Sequence, residues 1–258
     1  ISLFNGSAQQ ANAGADQQRG EILASTILSA NTAVAPATGS WSVVQGAANF
    51  SSTTDPNAVA SNLSVGVNIL GWSLDNGGCG TSTDQVAITV FDATDPVATA
   101  GADQQLCTPV TSTTLTGSTL IAPATGMWTL VSGTGNIVSP NSSTTQVNGL
   151  GAGVNTFRWT VSNGPCPDAI TFDEVSINVF TSTAQAANAG ADRSICTPAS
   201  SVTLAANAPV LPAVGTWSVL SGPASFADVH DPNTTVAGLQ VGTTDLEWTI
   251  DNGSCGTT

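Results

Sequence analysis

The sequence predicts an all-β protein built from antiparallel β-sandwich domains in tandem, and three observations predict it. One stretch occurs three times, at residues 70–79, 157–166 and 246–255, each time running through a Trp into an Asn-Gly-x-Cys turn. A second Trp series stands at a fixed distance from the first, since 72−41, 159−128 and 248−217 all equal 31. Between these marks, short segments alternate large and polar residues, the period of a strand with one buried face, and no helical period occurs.

The copies are spaced by 128−41 = 87 and 217−128 = 89 residues. A unit of that size can bury a core of its own, unlike the shorter units of a solenoid. The chain therefore reads as the last strand of a preceding repeat plus linker (1–10), two full repeats (11–95 and 96–183), and a third repeat lacking its last strand (184–258).

Each unit opens on Gly-Ala-Asp, at 14–16, 101–103 and 190–192, after an Ala/Thr/Gln-rich linker that reads as an extended connection. A strand around Leu28, Leu115 or Leu204 follows, then a loop with Pro36, Pro123 or Pro212. The first Trp strand carries Trp41, Trp128 or Trp217 and breaks at Gly46, Gly133 or Gly222. A Pro-Asn turn and a short strand near Leu63, Leu150 or Leu239 lead to the second Trp strand, with Trp72, Trp159 or Trp248. The first two units close on the alternating runs Val86-Ala-Ile88-Thr-Val90 and Val175-Ser-Ile177-Asn-Val179. All six Trp are expected in the core, one per sheet facing inward.

The third unit has no such run after Cys255, whereas Ile1-Ser-Leu3-Phe4 aligns with Ile177-Asn-Val179-Phe180 at an offset of 176. Two readings follow. Either the segment is a window on a longer array, or Ile1, Leu3 and Phe4 form a strand donated to the third repeat of another copy, a head-to-tail contact that builds fibres.

Charged residues make up 8% of the chain, with no Lys, and the formal net charge is −14. Such a surface is repelled by nucleic-acid phosphate and by anionic lipid. No apolar run is long enough to span a bilayer, so neither nucleic acid nor membrane insertion is expected.

The five cysteines follow the repeat. Cys107 and Cys196 lie four residues after Asp103 and Asp192, and Cys166 and Cys255 close the second Trp strand of the same units. The simplest pairing is Cys107 with Cys166 and Cys196 with Cys255, each closing a loop of about sixty residues worth roughly 4 kcal/mol in the chain-entropy model. Such bridges belong outside the cytosol. The first unit has Gly20 where the second has Cys107 (107−87 = 20), which leaves Cys79 as an unpaired thiol, a tolerated loss or a contact between chains. No Cys-x-x-Cys occurs and His230 is remote from every cysteine in sequence, which argues against zinc.

Nothing catalytic repeats: the counterparts of His230, two residues before the turn proline, are Thr54 and Val138. Calcium is the one cofactor left open, with Asp16, Asp103 and Asp192 as weak candidates in the unit openings. No EF-hand pattern is present, and Gly-Ala-Asp forms turns without a metal.

The series Ala-Gly-Ala-Asp-x-x-x-Cys, Thr-Gly-x-Trp-Thr/Ser-x-x-x-Gly and Trp-Thr-x-x-Asn-Gly-x-Cys resembles the immunoglobulin-like or PKD-like repeats of giant Bacteroidetes surface proteins, adhesins and filaments exported by the type IX system. The resemblance implies tandem Ig-like domains in a secreted, bacterial cell-surface protein with a structural or adhesive role and no catalytic residue. Expected partners are other copies of the chain or neighbouring repeats, in a filamentous homo-oligomer. The competing expectation is a module that binds carbohydrate or another surface through its loops.

Overall fold

The computed structural model describes residues 8–20, 25–92, 97–166, 169–183 and 185–258, so Ile1, Leu3 and Phe4 lie outside the described residues. The first repeat holds β1 (Gln17–Gly20), β2 (Thr26–Ile27), β3 (Thr38–Gln45), β4 (Asn49–Phe50), β5 (Val59–Ser61), β6 (Gly66–Asp75) and β7 (Thr81–Phe91). They form two sheets, β1-β7-β6-β3 and β2-β5-β4. The second repeat holds β8 (Gln104–Cys107), β9 (Ser112–Thr116), β10 (Thr125–Ser132), β11 (Asn136–Ile137), β12 (Thr144–Asn148), β13 (Gly153–Ser162) and β14 (Ile170–Phe180), with the matching sheets β10-β13-β14-β8 and β11-β12-β9. The third holds β15 (Val202–Thr203), β16 (Val214–Ser221), β17 (Ser225–Phe226), β18 (Thr235–Ala237) and β19 (Asp245–Asp251), in sheets β15-β18-β17 and β16-β19. Compact packing groups the chain into two units, 1–99 with 117–127 and 159–173, and 100–116 with 128–158 and 174–258.

Alternation places the core. In β6 the side chains of Asn68, Leu70, Trp72 and Leu74 point inward and are buried, and in β7 those of Val86, Ile88 and Val90 do the same. Leu28 and Ala60 of the facing sheet complete this cluster. Packing of this kind, with each strand polar on its outer face, is what makes a two-layer sandwich.

The constant spacing of 31 has a direct cause. β3 runs antiparallel to β6 with Trp41 opposite Trp72, and β16 runs antiparallel to β19 with Trp217 opposite Trp248. The rings sit 5.0 Å and 5.1 Å apart, tilted by 46° in both pairs. The expectation of one Trp per sheet is thus corrected: both belong to one sheet, as a cross-strand pair. The facing sheet supplies Phe50 or Phe226, stacked at 6.2 Å on Trp41 or Trp217. All six indoles are buried. Such aromatic pairs are worth about 0.5–1.5 kcal/mol beyond the area they bury.

The glycine of Thr-Gly-x-Trp is explained by the same pair. A Cβ on Gly39 would lie 2.2 Å from Trp72 Cζ2, on Gly126 2.2 Å from Trp159 Cζ2, and on Gly215 2.1 Å from Trp248 Cζ2. The proline loop is equally regular. The bonds before Pro36, Pro123 and Pro212 are cis, and the N–H of Ala37, Ala124 and Ala213 closes each turn onto the carbonyl three residues back.

The third repeat departs from the other two. Leu204, Leu239 and Leu246 are only half-buried, although their counterparts Leu28, Leu63 and Leu70 in the first repeat, and Leu115, Leu150 and Phe157 in the second, are buried. Ala189 is exposed where Ala13 and Ala100 are buried. In the first repeat Ala13, Leu28, Leu63 and Leu70 belong to one buried cluster with Val86, Ile88 and Val90 of β7.

Gly39→Ala forces a methyl into the Trp72 ring, so an unfolding free energy lower by about 1–3 kcal/mol is expected. Urea unfolding followed by Trp fluorescence measures it, and an unchanged midpoint would show that the ring has room to shift.

Candidate functional site: the joint between repeats

The joint is built from two halves that the sequence supplies separately. One half is the Asn-Gly-x-Cys turn. Gly77 and Gly253 adopt left-handed φ values of 59° and 54°, a conformation that glycine enters without strain. The carboxylates of Asp75 and Asp251 accept the N–H of Gly77 and Gly253 at 2.8 Å. The N–H of Asn76 and Asn252 closes each loop onto the carbonyl of Gly80 or Gly256 at 2.9 Å. The chain thereby makes one 3-10 turn, Gly77–Cys79 or Gly253–Cys255, that presents the cysteine at its end.

The other half is the exit end of the preceding repeat. The short strand β1 runs parallel to β7, with Gly20 opposite Phe91, and β8 runs parallel to β14, with Cys107 opposite Phe180. Both phenylalanines are buried although they end their strands.

Two such joints occur, one in each compact unit. In the first, Asn163 Nδ2 donates to the Asp92 carbonyl at 2.8 Å and Cys166 Sγ donates to the Phe91 carbonyl at 3.9 Å. A Cβ on Gly164 would fall 2.5 Å from the Phe91 ring. In the second, a Cβ on Gly253 would fall 2.4 Å from the Phe180 ring and 2.8 Å from Gln105 Oε1. The glycine therefore serves twice, for its φ and for the space a phenylalanine ring takes. Cys107 and Cys255 are joined by a disulfide with their Cα atoms 5.3 Å apart. At the equivalent place in the first joint, a Cβ on Gly20 would stand 3.1 Å from Cys166 Sγ.

This pairing corrects the sequence reading of Cys107 with Cys166 and Cys196 with Cys255. The reason is strand length. Cys107 sits beside the last residue of β14, while Cys166 sits in the turn before its first, and eleven extended residues span about 33 Å. A disulfide requires Cα atoms within about 7 Å. A cysteine of the short parallel strand can therefore reach only the turn of the next repeat. Cys79 and Cys196 are exposed thiols.

The remaining candidates fall elsewhere. Asp16 and Asp103 each accept a backbone N–H at 2.8 Å, from Ala87 and Ser176, and so fasten the unit opening to its last strand. His230 places Nδ1 at 2.9 Å from the Gly215 carbonyl and 3.3 Å from Thr216 Oγ1, in an exposed turn. Among the described residues no group of three or more His, Cys, Asp or Glu is placed to hold a metal. No helix among them is long and apolar enough to cross a membrane.

Sequence reasoning missed Phe91 and Phe180 as joint residues, although both follow the Val-x-Ile-x-Val run directly. It also missed Asn68 and Asn155, two buried side chains that satisfy neighbouring turns. Asn68 Oδ1 accepts from Ala47 N and Ser64 N, Asn155 Oδ1 accepts from Thr134 N, and their amides donate to the Ser64 and Gly151 carbonyls.

Comparison with protein-family models and with curated proteins returns no match. Among solved structures, the chain is similar to the Dpr2 Ig1-Ig2 complex with DIP-Theta Ig1-Ig3, at 10% identity over 97% of this chain and 97% of that one, with a TM-score of 0.53. It is also similar to the PKD domain from the KIAA 1837 protein, at 29% identity over 34% of this chain and 90% of that one, TM-score 0.30. A third is the Drosophila OTK extracellular domains 3-5, at 10% identity over 99% and 97%, TM-score 0.33. The first of these carries the fold: the chain is all-β, with immunoglobulin-like domains in tandem.

Two substitutions test the joint. Gly20→Cys is expected to create a second disulfide, to Cys166, visible as a linked peptide under non-reducing mass spectrometry. Cys255→Ser opens a loop with a sequence separation of 148 residues, worth about 5 kcal/mol in the chain-entropy model, and should lower the melting temperature. A thermal midpoint that Cys255→Ser leaves unmoved would show that the disulfide adds nothing to the joint.

Proposed function

We propose that the chain is a non-enzymatic structural segment of an extracellular filament, stalk or adhesin on a bacterial cell surface, with three immunoglobulin-like domains placed end to end. The observation that carries this reading is the joint, made twice from the same parts. A protein that acts through one site has no need to repeat a contact between neighbours, whereas an array must make it at every step. The disulfide in the second joint supports an oxidising compartment. The acidic, lysine-free surface supports a stalk whose chains repel one another sideways while joining at their ends.

Donation of a strand between copies would extend this reading to assembly. Among the described residues, β19 pairs with β16, and its Asp251 and Ile250 also pair with Thr257 and Thr258. A strand with apolar residues at alternate positions would bury Leu204, Leu239 and Leu246 and complete the four-stranded sheet. Ile1-Ser-Leu3-Phe4 carries that pattern in the register of Ile177-Asn-Val179-Phe180. A copy that donates it places its own first repeat next to the acceptor's third, as linked repeats are placed within one chain.

Removal of residues 1–4 is expected to abolish end-to-end association of the purified chain, measured by sedimentation velocity and negative-stain imaging. Filaments of undiminished length from the truncated chain would sink the donated strand. Calcium has no part in this reading, in which Asp16 and Asp103 each fasten a backbone N–H through Oδ1 without a metal. A melting temperature unchanged by EDTA is therefore expected, and a drop of several degrees would assign a metal to the unit openings.

A further inference from the structure

The two exposed thiols, Cys79 and Cys196, stand at the two positions that a disulfide joins inside the chain. Cys196 is the counterpart of Cys107 (107+89 = 196), and Cys79 is the counterpart of Cys255 (255−176 = 79). Cys107 and Cys255 are bonded. At the other internal joint the same two positions are Gly20 and Cys166, close enough for a Cβ on Gly20 to touch the sulfur at 3.1 Å. The joint thus brings these two positions together in both of its occurrences, whether or not both are cysteine. Cys79 heads the first repeat in the same Asn-Gly-x-Cys turn as Cys255, with the same Asp–Gly hydrogen bond and the same left-handed glycine. Cys196 follows Asp192 by four residues, as Cys107 follows Asp103, and both thiols are solvent-exposed.

From this we infer that the Cys196 face of one copy and the Cys79 turn of a second copy form a third instance of the joint, closed by an intermolecular Cys196–Cys79 disulfide. The inference rests on the end-to-end reading above and names its covalent contact. The occupant is a second copy of this chain, because the surface is continuous in design with a contact the chain already makes with itself. The turn offers no other recognition element: Gly78 and Gly80 have open space around them, and the chemistry it presents is a backbone loop and a thiol. Bond formation removes two electrons and two protons from the pair of thiols. A low-molecular-weight disulfide is the oxidant: a thiolate of one copy attacks it and releases one small thiol, and the second copy's thiolate then displaces the other.

The test uses the full chain incubated with oxidised and reduced glutathione, alongside Cys79→Ser and Cys196→Ser. The expected result is a ladder of covalent multimers on non-reducing gels and a Cys79–Cys196 linked peptide at least ten times more abundant than Cys79–Cys79 or Cys196–Cys196. Either substitution should remove the ladder and leave the Cys107–Cys255 peptide intact. If copies associate end to end by sedimentation but the linked peptides are homotypic or absent, the joint is overturned while the assembly reading stands. If copies neither associate nor cross-link above the rate of a random encounter between exposed thiols, both are overturned.

Discussion

The parallel pairing of a short opening strand with the far end of the last strand is the constraint on which the rest of the molecule depends. β1 on β7 and β8 on β14 hold only four residues each, yet they fix where residues 20 and 107 lie. Because the pairing is parallel, the opening strand points the same way as the strand that leaves the repeat. Its last residue therefore arrives where the next repeat begins. An antiparallel pairing would have turned that residue back into its own domain, and the disulfide would have been internal. Strand direction decides whether a cysteine staples a domain or a joint.

Within each repeat a different contact sets the dimensions. The Trp pair lies across two neighbouring strands, so it fixes their register, and a slip by one residue would turn the ring of the slipped strand to the solvent. The glycine two residues before the first Trp is the room the second ring needs. These three residues depend on one another, and none can change alone. In the joint the logic recurs on a smaller scale, with Phe91 or Phe180 filling the space that Gly164 or Gly253 leaves.

Much of this was legible in the sequence. The alternation around Leu70, Trp72 and Leu74 gives a strand with one buried face, and the equal Trp spacings give the repeat. The sheet assignment of the two Trp was not legible, because period 2 tells which face a side chain takes but not which strand is its neighbour. The cysteine pairing was misleading for a related reason. Pairing within a repeat leaves one thiol over among five, whereas pairing across the joint leaves three in the chain, so counting favours the wrong scheme. The length of β14, whose eleven residues end at Phe180 opposite Cys107 while Cys166 precedes its start, separates the two. The Gly20 substitution was visible from the start. Its meaning, a joint without a bond, needed its neighbour Cys166 to be seen across the gap.

A bond at the joint has a mechanical consequence that a bond inside a domain lacks. Tension on a tandem array runs along the backbone and is borne in each domain by hydrogen bonds between strands, which yield one domain at a time. A disulfide from Cys107 to Cys255 carries the load directly from the opening of the second repeat to the end of the second Trp strand of the third. The strands between them then lie outside the covalent line of force, and extension of that stretch is limited to the few residues outside the loop. The first joint, with Gly20 in place of a cysteine, leaves its repeat free to yield. One chain thus combines a locked joint and an unlocked one. The difference between them is a single side chain at the end of a four-residue strand.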